Sequence, residues 1–246
     1  MKAKNSFKTA LVTFAICSTI TSCCNEKKAT IPTTKKEIMD ALKAGTLPTS
    51  YVPAAFFVHF DKDHKEGYAA INSHLQYLLK TNADILKVQF EQHVEHIHGL
   101  DNQKNWDNIS PLPKDFYRPT VEIIRKIQEC AGRDIYVMPT VYSAYQVARQ
   151  SLRDENIAKA AVERPDDLKR VLGYYLNSLE WFVKECKKTG IESFYITTQG
   201  GEMKYNSIPG FFEEIIKPLD LQLMNLCQQD SKLTILHICD WEGDYD

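Results

Sequence analysis

The sequence predicts an α/β protein built on a parallel sheet, and three observations support this prediction. Short apolar runs of strand length alternate with longer segments in which apolar residues recur at helical spacing. The connections between these runs are long enough to carry a helix, as parallel pairing requires. The chain has 246 residues, 43% of them hydrophobic, which is enough for one sizeable core. A doubly wound sheet and a (β/α)8 barrel both fit the pattern, but the glycine-rich nucleotide-binding motifs are absent.

The charge balance argues against one class of partner. The chain has 30 Lys and Arg residues against 32 Asp and Glu residues, a formal net charge of −2. This balance offers no basic excess for a phosphate backbone and no acidic tail. We therefore expect no nucleic-acid partner.

The apolar runs predict five strands. The first of them, VPAAFFVHF, is almost continuously apolar, which is typical of a strand buried on both faces. The later runs are also rich in β-branched and aromatic residues. The predicted strands are residues 52–60, 83–90, 134–141, 191–198 and 233–239.

The segments between the strands have helical patterns with recognisable ends. Pro119 stands near the first turn of one helix, and Gly132 stands at its end. A long amphipathic segment before the fourth strand has acidic residues at its start and lysines at its end, as the helix dipole favours. The last helix is interrupted at Pro218. The predicted helices are residues 35–45, 65–81, 119–132, 165–190 and 208–229.

The N-terminus predicts an export signal. Three lysines in the first eight residues precede about a dozen mostly apolar residues, too few for a membrane-spanning helix. Residues 20–23, ITSC, then resemble the lipobox of bacterial lipoproteins, in which the cysteine is lipidated. The resemblance implies lipidation of Cys23 and an exported, membrane-anchored lipoprotein. It divides the chain into a signal peptide at 1–22, a polar tether at 23–34 and a folded domain at 35–246.

Five cysteines lie beyond the predicted lipidation site. They are widely spaced and lack the paired pattern of a disulfide scaffold. Most are therefore predicted to be small hydrophobic residues of the core. They are Cys24, Cys130, Cys186, Cys227 and Cys239.

A series of stretches resembles the uroporphyrinogen decarboxylase superfamily, whose members are (β/α)8 barrels. In order, they are YVPAAFFVHF, DILKVQFE, PTVYSAYQVA, RPDDLKRVLGYYLNS, FYITTQGGE, FFEEIIKPLD and ILHIC. The resemblance covers nearly all of residues 50–240 and implies a partial TIM barrel of about five of the eight strand-helix units. Such a piece would have open sheet edges, so we expect an oligomer or a partner that covers them.

Barrel sites lie at the carboxyl ends of the strands, where two candidate catalytic residues stand. The resemblance places Glu91 where the decarboxylases have an aspartate that meets the pyrrole N–H groups, although a solvated loop acid is an equal alternative. His59, at the carboxyl end of the first predicted strand, is predicted to line the same cleft. The decarboxylases carry arginines here to bind substrate carboxylates, and this chain has HFDKDH instead. The difference argues against decarboxylation of uroporphyrinogen itself.

The fifth predicted strand ends in a candidate metal pair. Residues two apart on a strand point to one side, so His237 and Cys239 can converge on one ion. The pair resembles the H-x-C of zinc-dependent corrinoid methyltransferases in the same superfamily, which implies a zinc cofactor. Because that branch has another cysteine ligand downstream, which is absent here, we expect weak zinc binding. A buried histidine and cysteine without metal is the alternative.

Two classes of function remain open from the sequence. As an enzyme, the chain would act on a tetrapyrrole or a corrinoid-linked substrate, by a decarboxylase-like reaction or by zinc-assisted methyl transfer. As a truncated, inactive relative, it would be a membrane-anchored binding lipoprotein. The H-x-C sequence favours the first class, and the absent arginines and downstream ligand favour the second.

Overall fold

Four parallel strands form the centre of the molecule. The computed structural model describes residues 34–56, 58–132, 134–231 and 233–238. Within them the sheet has the order β1-β2-β3-β4, with every neighbouring pair parallel. This alternation of strands and helices is consistent with part of a TIM-barrel-like fold, and the described strands do not close a barrel. The strands are β1 (Ile85–Val88), β2 (Tyr136–Tyr142), β3 (Ser193–Thr198) and β4 (Leu233–Ile238).

Helices connect these strands and precede the first of them. Proline occupies the first turn of α4 and α7, where its missing N–H removes no helical hydrogen bond, and Pro218 stands in the first turn of α8, directly after a π-helix. The helices are α1 (Lys35–Lys43), α2 (Gly67–Thr81), α3 (Gln103–Asp107), α4 (Arg118–Ala131), α5 (Ala144–Leu152), α6 (Asp154–Glu163), α7 (Pro165–Lys188) and α8 (Lys217–Gln228). A π-helix over Phe211–Ile216 leads directly into α8, where the sequence predicts one interrupted helix.

The predicted first strand, residues 52–60, is wrong over the part that the structure describes. The segment is extended and contacts the start of β1 at one point, where Ala54 O accepts from Asp84 N at 2.9 Å and Ala54 N donates to Asp84 Oδ2 at 2.7 Å. Val52 is 82% exposed and Phe56 is also exposed, so the segment is not buried on both faces. An apolar run becomes a strand only where a neighbour pairs with it along its length, and the described residues supply one such contact.

The other four predicted strands are confirmed, and their bounds differ from the predicted ones by a few residues at most. The face of the sheet that meets the helices is mostly apolar, although Thr198 of β3 donates to Asp220 of α8 there. Leu86 pairs in register with Val137, and both pack in the main core with Phe194 of β3. Helices α4 and α7 supply Ile127 and Phe182 to the same core.

Two of the cysteines confirm the prediction that they are core residues. Cys186 and Cys227 are buried free thiols, whereas Cys130 is exposed, so the prediction is wrong for Cys130. Burial raises the pKa of Cys186, and it raises the pKa of Cys227 to about 12. Because the thiolate is the nucleophile, neither buried thiol is reactive near neutral pH.

The opposite face of the sheet begins apolar at the amino ends of the strands. Ile85 and Met138 pack there against Met39 of α1, which is fully buried. Helix α1 starts at a capping box in which the Thr34 hydroxyl accepts from Glu37 N and the Glu37 carboxylate accepts from Thr34 N. Helix α1 therefore covers this end of the sheet with the buried Met39 and the partly buried Leu42.

The predicted signal peptide, the lipidated Cys23 and the tether lie outside the described residues, apart from Thr34. In the part of the chain that is described, no helix has both the length and the apolar character needed to cross a membrane.

Replacing Met39 with alanine tests the role of α1 in covering the sheet. We expect Met39→Ala to lower the free energy of unfolding by about 2–5 kcal/mol, because it leaves a cavity between the helix and the sheet. Leu79→Ala, on an exposed side of α2, is the matched control and should cost little. Urea unfolding followed by circular dichroism measures both. Equal effects of the two substitutions would contradict the packing described for Met39.

Candidate functional site

The face of the sheet opposite α4 and α7 is called the inner face here. It becomes polar toward the carboxyl ends of the strands. Lys87 is only 4% exposed, and Gln89, Thr140 and Thr197 are also buried. In a barrel interior, branched aliphatic residues usually fill these positions. Gln89 Nε2 and Thr140 Oγ1 have no hydrogen-bond partner in the described part of the chain, although buried polar atoms nearly always have one. We refer to Lys87, Gln89, Thr140, Thr197 and His237 as the inner polar face.

Lys87 is the central charge of this face. Its Nζ donates to Gln89 Oε1 at 3.2 Å and lies 4.5 Å from the centroid of the Tyr195 ring. Because an ammonium group can only donate, the amide oxygen of Gln89 must face it, and Nε2 is left for another acceptor. Burying an ammonium group is costly unless other groups compensate it. Lys87 therefore places a nearly buried positive charge beside Gln89 Nε2 and Thr140 Oγ1, which lack partners in the described part of the chain.

His237 lies on the same face, on β4. It pairs in register with Thr197, and its ring centroid is 5.5 Å from that of Tyr195. Partial burial lowers the pKa of His237, and the positive charge of Lys87 lowers it further. The imidazole is therefore neutral at pH 7, which is the form that binds metals.

The predicted zinc pair is only half described, because Cys239 lies outside the described residues. Within the described residues, no group of three or more His, Cys, Asp or Glu side chains could hold a metal ion. The neutral imidazole of His237 fits the role of a ligand, whereas the nearby charge of Lys87 opposes a divalent cation. A zinc site here stays a prediction that depends on Cys239 and a further ligand.

Glu91 and His59, predicted to line one cleft, lie together. His59 Nδ1 is 3.2 Å from Glu91 Oε1, and Lys65 Nζ donates to Glu91 Oε2 at 2.9 Å. The Glu91 side chain is 8% exposed, so this carboxylate is largely removed from solvent. Its two partners offset the cost of burying its charge. The catalytic roles of Glu91 and His59 stay predictions.

A cavity of about 320 Å³ adjoins this group, near the first turns of α2 and α4. Apolar Phe60 and Ala70 line it together with polar Gln89 and Glu91. Buried His74 anchors the end of β1 here, because its Nε2 accepts from Gln89 N at 3.1 Å and its Nδ1 lies 2.7 Å from Ala70 O. Gln89 therefore joins this cavity to the inner polar face.

Sequence reasoning missed several residues of the site. Lys87 offered a signal, since it is the one charged residue inside the apolar run ILKV, and Gln89 follows it at strand spacing. Lys65 offered none, because a lysine before a helix is usually solvated. Tyr195 reads as an ordinary strand aromatic.

Asp220 is another polar residue that the sequence did not reveal. It lies in α8 behind β3, where the Thr198 hydroxyl donates to its Oδ2 and its Oδ1 has no partner in the described part. Burial raises the pKa of Asp220 to about 7, although the hydrogen bond from Thr198 acts in the opposite direction. This carboxyl group is therefore partly protonated at neutral pH.

The fold of this chain is similar to the fold of a solved enzyme structure. A methyltransferase from Methanosarcina mazei is similar with a TM-score of 0.65, over 84% of this chain and 70% of that chain, at 15% sequence identity. An identity this low shows the fold alone. No family model and no curated protein matches the sequence. The chain thus shares an α/β, barrel-like fold with a methyltransferase.

The raised pKa of Asp220 predicts how the stability of the fold depends on pH. This pKa is raised from an ordinary 3.8 to about 7 on folding, so the folded state holds the proton more tightly. The contribution of Asp220 to stability is fully present below the unfolded pKa and is lost as the pH rises to about 7. The loss is on the order of 4 kcal/mol. Asp220→Asn should remove this loss, as measured by urea unfolding at several pH values.

The control is Asp107→Asn, at an exposed position of α3. It should keep the same pH dependence as the unmodified chain. If the free energies of unfolding of Asp220→Asn and of the unmodified chain differ by the same amount at every pH, the Asp220 carboxyl group does not titrate as described.

Proposed function

We propose that this chain is a methyl-transfer-related barrel protein that binds a corrinoid or another tetrapyrrole at the inner polar face. The buried ammonium of Lys87 carries the proposal, since it faces the end of the sheet where barrel proteins bind their ligands. Tetrapyrroles bear carboxylate or amide side chains, whose oxygens accept from an ammonium group. The fold shared with a methyltransferase supports the methyl-transfer class.

The charge of each side chain suggests its role in binding the ligand or in the reaction. Lys87 and Gln89 Nε2 would donate to oxygens of the ligand, and Tyr195 would contact its ring. Glu91 would stabilise positive charge that develops on a substrate next to the cavity. His237 and Cys239 would hold zinc, which supplies a Lewis acid that favours the thiolate form of a thiol acceptor.

Ligand titration tests the binding step. Methylcobalamin and coproporphyrin are titrated separately into the purified chain, and quenching of its intrinsic fluorescence is followed. We expect saturable binding of at least one ligand and a loss of about tenfold or more in affinity for Lys87→Met, because a charge-assisted hydrogen bond is removed. Methionine nearly matches lysine in shape, so the fold should persist, and circular dichroism checks it.

Lys80→Met, at an exposed position of α2, is the control and should bind as the unmodified chain does. If neither ligand binds, the proposed function is wrong. If Lys87→Met binds with full affinity, the site lies elsewhere than at the inner polar face.

A non-catalytic binding lipoprotein is the second candidate. The observation that favours it is the positive charge of Lys87 near His237, which opposes a divalent cation there. On this alternative the chain binds the same ligand and transfers no methyl group.

Zinc titration of the reduced chain separates the two candidates. We expect weak binding that both His237→Ala and Cys239→Ala remove, because two protein ligands leave the coordination incomplete. Tight binding of one zinc ion per chain, with zinc-dependent demethylation of methylcobalamin by a thiol, would establish the enzyme. Ligand binding without any demethylation would establish the binding protein.

A further inference from the structure

A second cavity, of about 200 Å³, lies between the end of β3 and the π-helix. Its lining includes Gly200, Gly201 and Glu202, together with aromatic rings. It contains no residue of the inner polar face. This cavity is therefore separate from the site of the proposed function.

Two carboxyl groups line this cavity, and Glu202 is the buried one, whereas Glu213 is paired with Lys217. Glu202 is 1% exposed, and its Oε2 accepts from Gly200 N at 2.6 Å. Its Oε1 is also buried and has no hydrogen-bond partner in the described part of the chain. An ionised carboxylate only accepts, and an unsatisfied buried oxygen is unfavourable. The lining thus includes a buried carboxyl oxygen that has no donor in the described part of the chain.

Aromatic rings complete the lining. Tyr205 and Phe211 are buried with their ring centroids 4.7 Å apart, and Phe212 is exposed. The Lys204 ammonium lies 5.1 Å from the centroid of Tyr205 and is held 3.5 Å from Asp154. Aromatic faces with a nearby carboxylate favour organic cations over neutral molecules of the same shape.

The backbone around the cavity keeps the space open. A Cβ atom at Gly200 would lie 3.2 Å from the Tyr145 ring, and one at Gly201 would lie 3.3 Å from the Phe212 ring. Gly200 also has a φ of +101°, a conformation that other residues rarely adopt. The π-helix at Phe211–Ile216 is a rare element that is frequent at functional sites. A side chain at Gly201 would therefore meet the Phe212 ring, which lines the cavity.

We propose that this cavity binds a small methylated ammonium ion that keeps at least one N–H. The N–H would donate to Glu202 Oε1, and the methyl groups would contact Tyr205, Phe211 and Phe212. A metal ion fits less well, because the described residues contain no group of three or more metal-binding side chains. The volume admits a compact ion rather than a long-chain amine.

The test is calorimetric titration of the purified full chain with trimethylammonium chloride. We expect saturable binding of one ion per chain, and weaker binding of tetramethylammonium, which has no N–H. Glu202→Gln should weaken binding by about tenfold or more, since it keeps the shape and removes the charge. Phe212→Leu, at an exposed position, should weaken it by roughly three- to tenfold. Glu163→Gln, on the exposed side of α6, should change nothing.

Four results would overturn the proposal. They are no saturable binding of trimethylammonium by the unmodified chain, unchanged affinity in a folded Glu202→Gln or Phe212→Leu variant, equal affinity for tetramethylammonium, and equal affinity for tert-butanol, which has a similar size and no charge. Each variant is checked by circular dichroism. Because none of these residues belongs to the inner polar face, either proposal can fail while the other holds.

Discussion

Lys87 reaches the inner face of the sheet because β1 pairs with β2 in a register that sets Lys87 beside Met138 and Leu86 beside Val137. Side chains alternate along a strand, so this register decides which residues meet the helices and which face inward. If the register shifted by one residue, the ammonium of Lys87 would enter the core that the helices cover, and Leu86 would turn to the inner face of the sheet. The apolar core fixes the register, and the register in turn positions the polar site.

Much of the fold could be predicted from the sequence, because its signals are local. Helical period and Pro119 with Gly132 locate α4, and β-branched runs locate four strands. The segment 52–60 has the composition of a strand, but composition does not say whether a neighbour pairs with it along its length. The π-helix before α8 has no local signal either, since its residues read as an ordinary amphipathic helix.

The site was less accessible to sequence reasoning, because it depends on contacts between distant segments. His59 and Glu91 were expected together, since both follow apolar runs whose carboxyl ends should share one end of the fold. Their third partner, Lys65, and the burial of the Glu91 side chain could be found only from coordinates. The unsatisfied atoms of Gln89 and Glu202 are also invisible in sequence, because only packing shows which polar atoms lack a partner.

Charge distinguishes the three polar regions from one another. The carboxylate of Glu91 is paired with Lys65 and contacts His59, Glu202 Oε1 in the second cavity has no partner in the described part of the chain, and the inner polar face contains the ammonium of Lys87. That charge lowers the pKa of His237 and also repels a cation bound there. On the proposed function, a ligand carboxylate beside Lys87 would cancel this repulsion and strengthen zinc binding at His237. By linkage, zinc would strengthen binding of the acidic ligand by the same factor. On the proposed function, zinc would therefore bind most tightly at His237 when the acidic ligand is already bound beside Lys87.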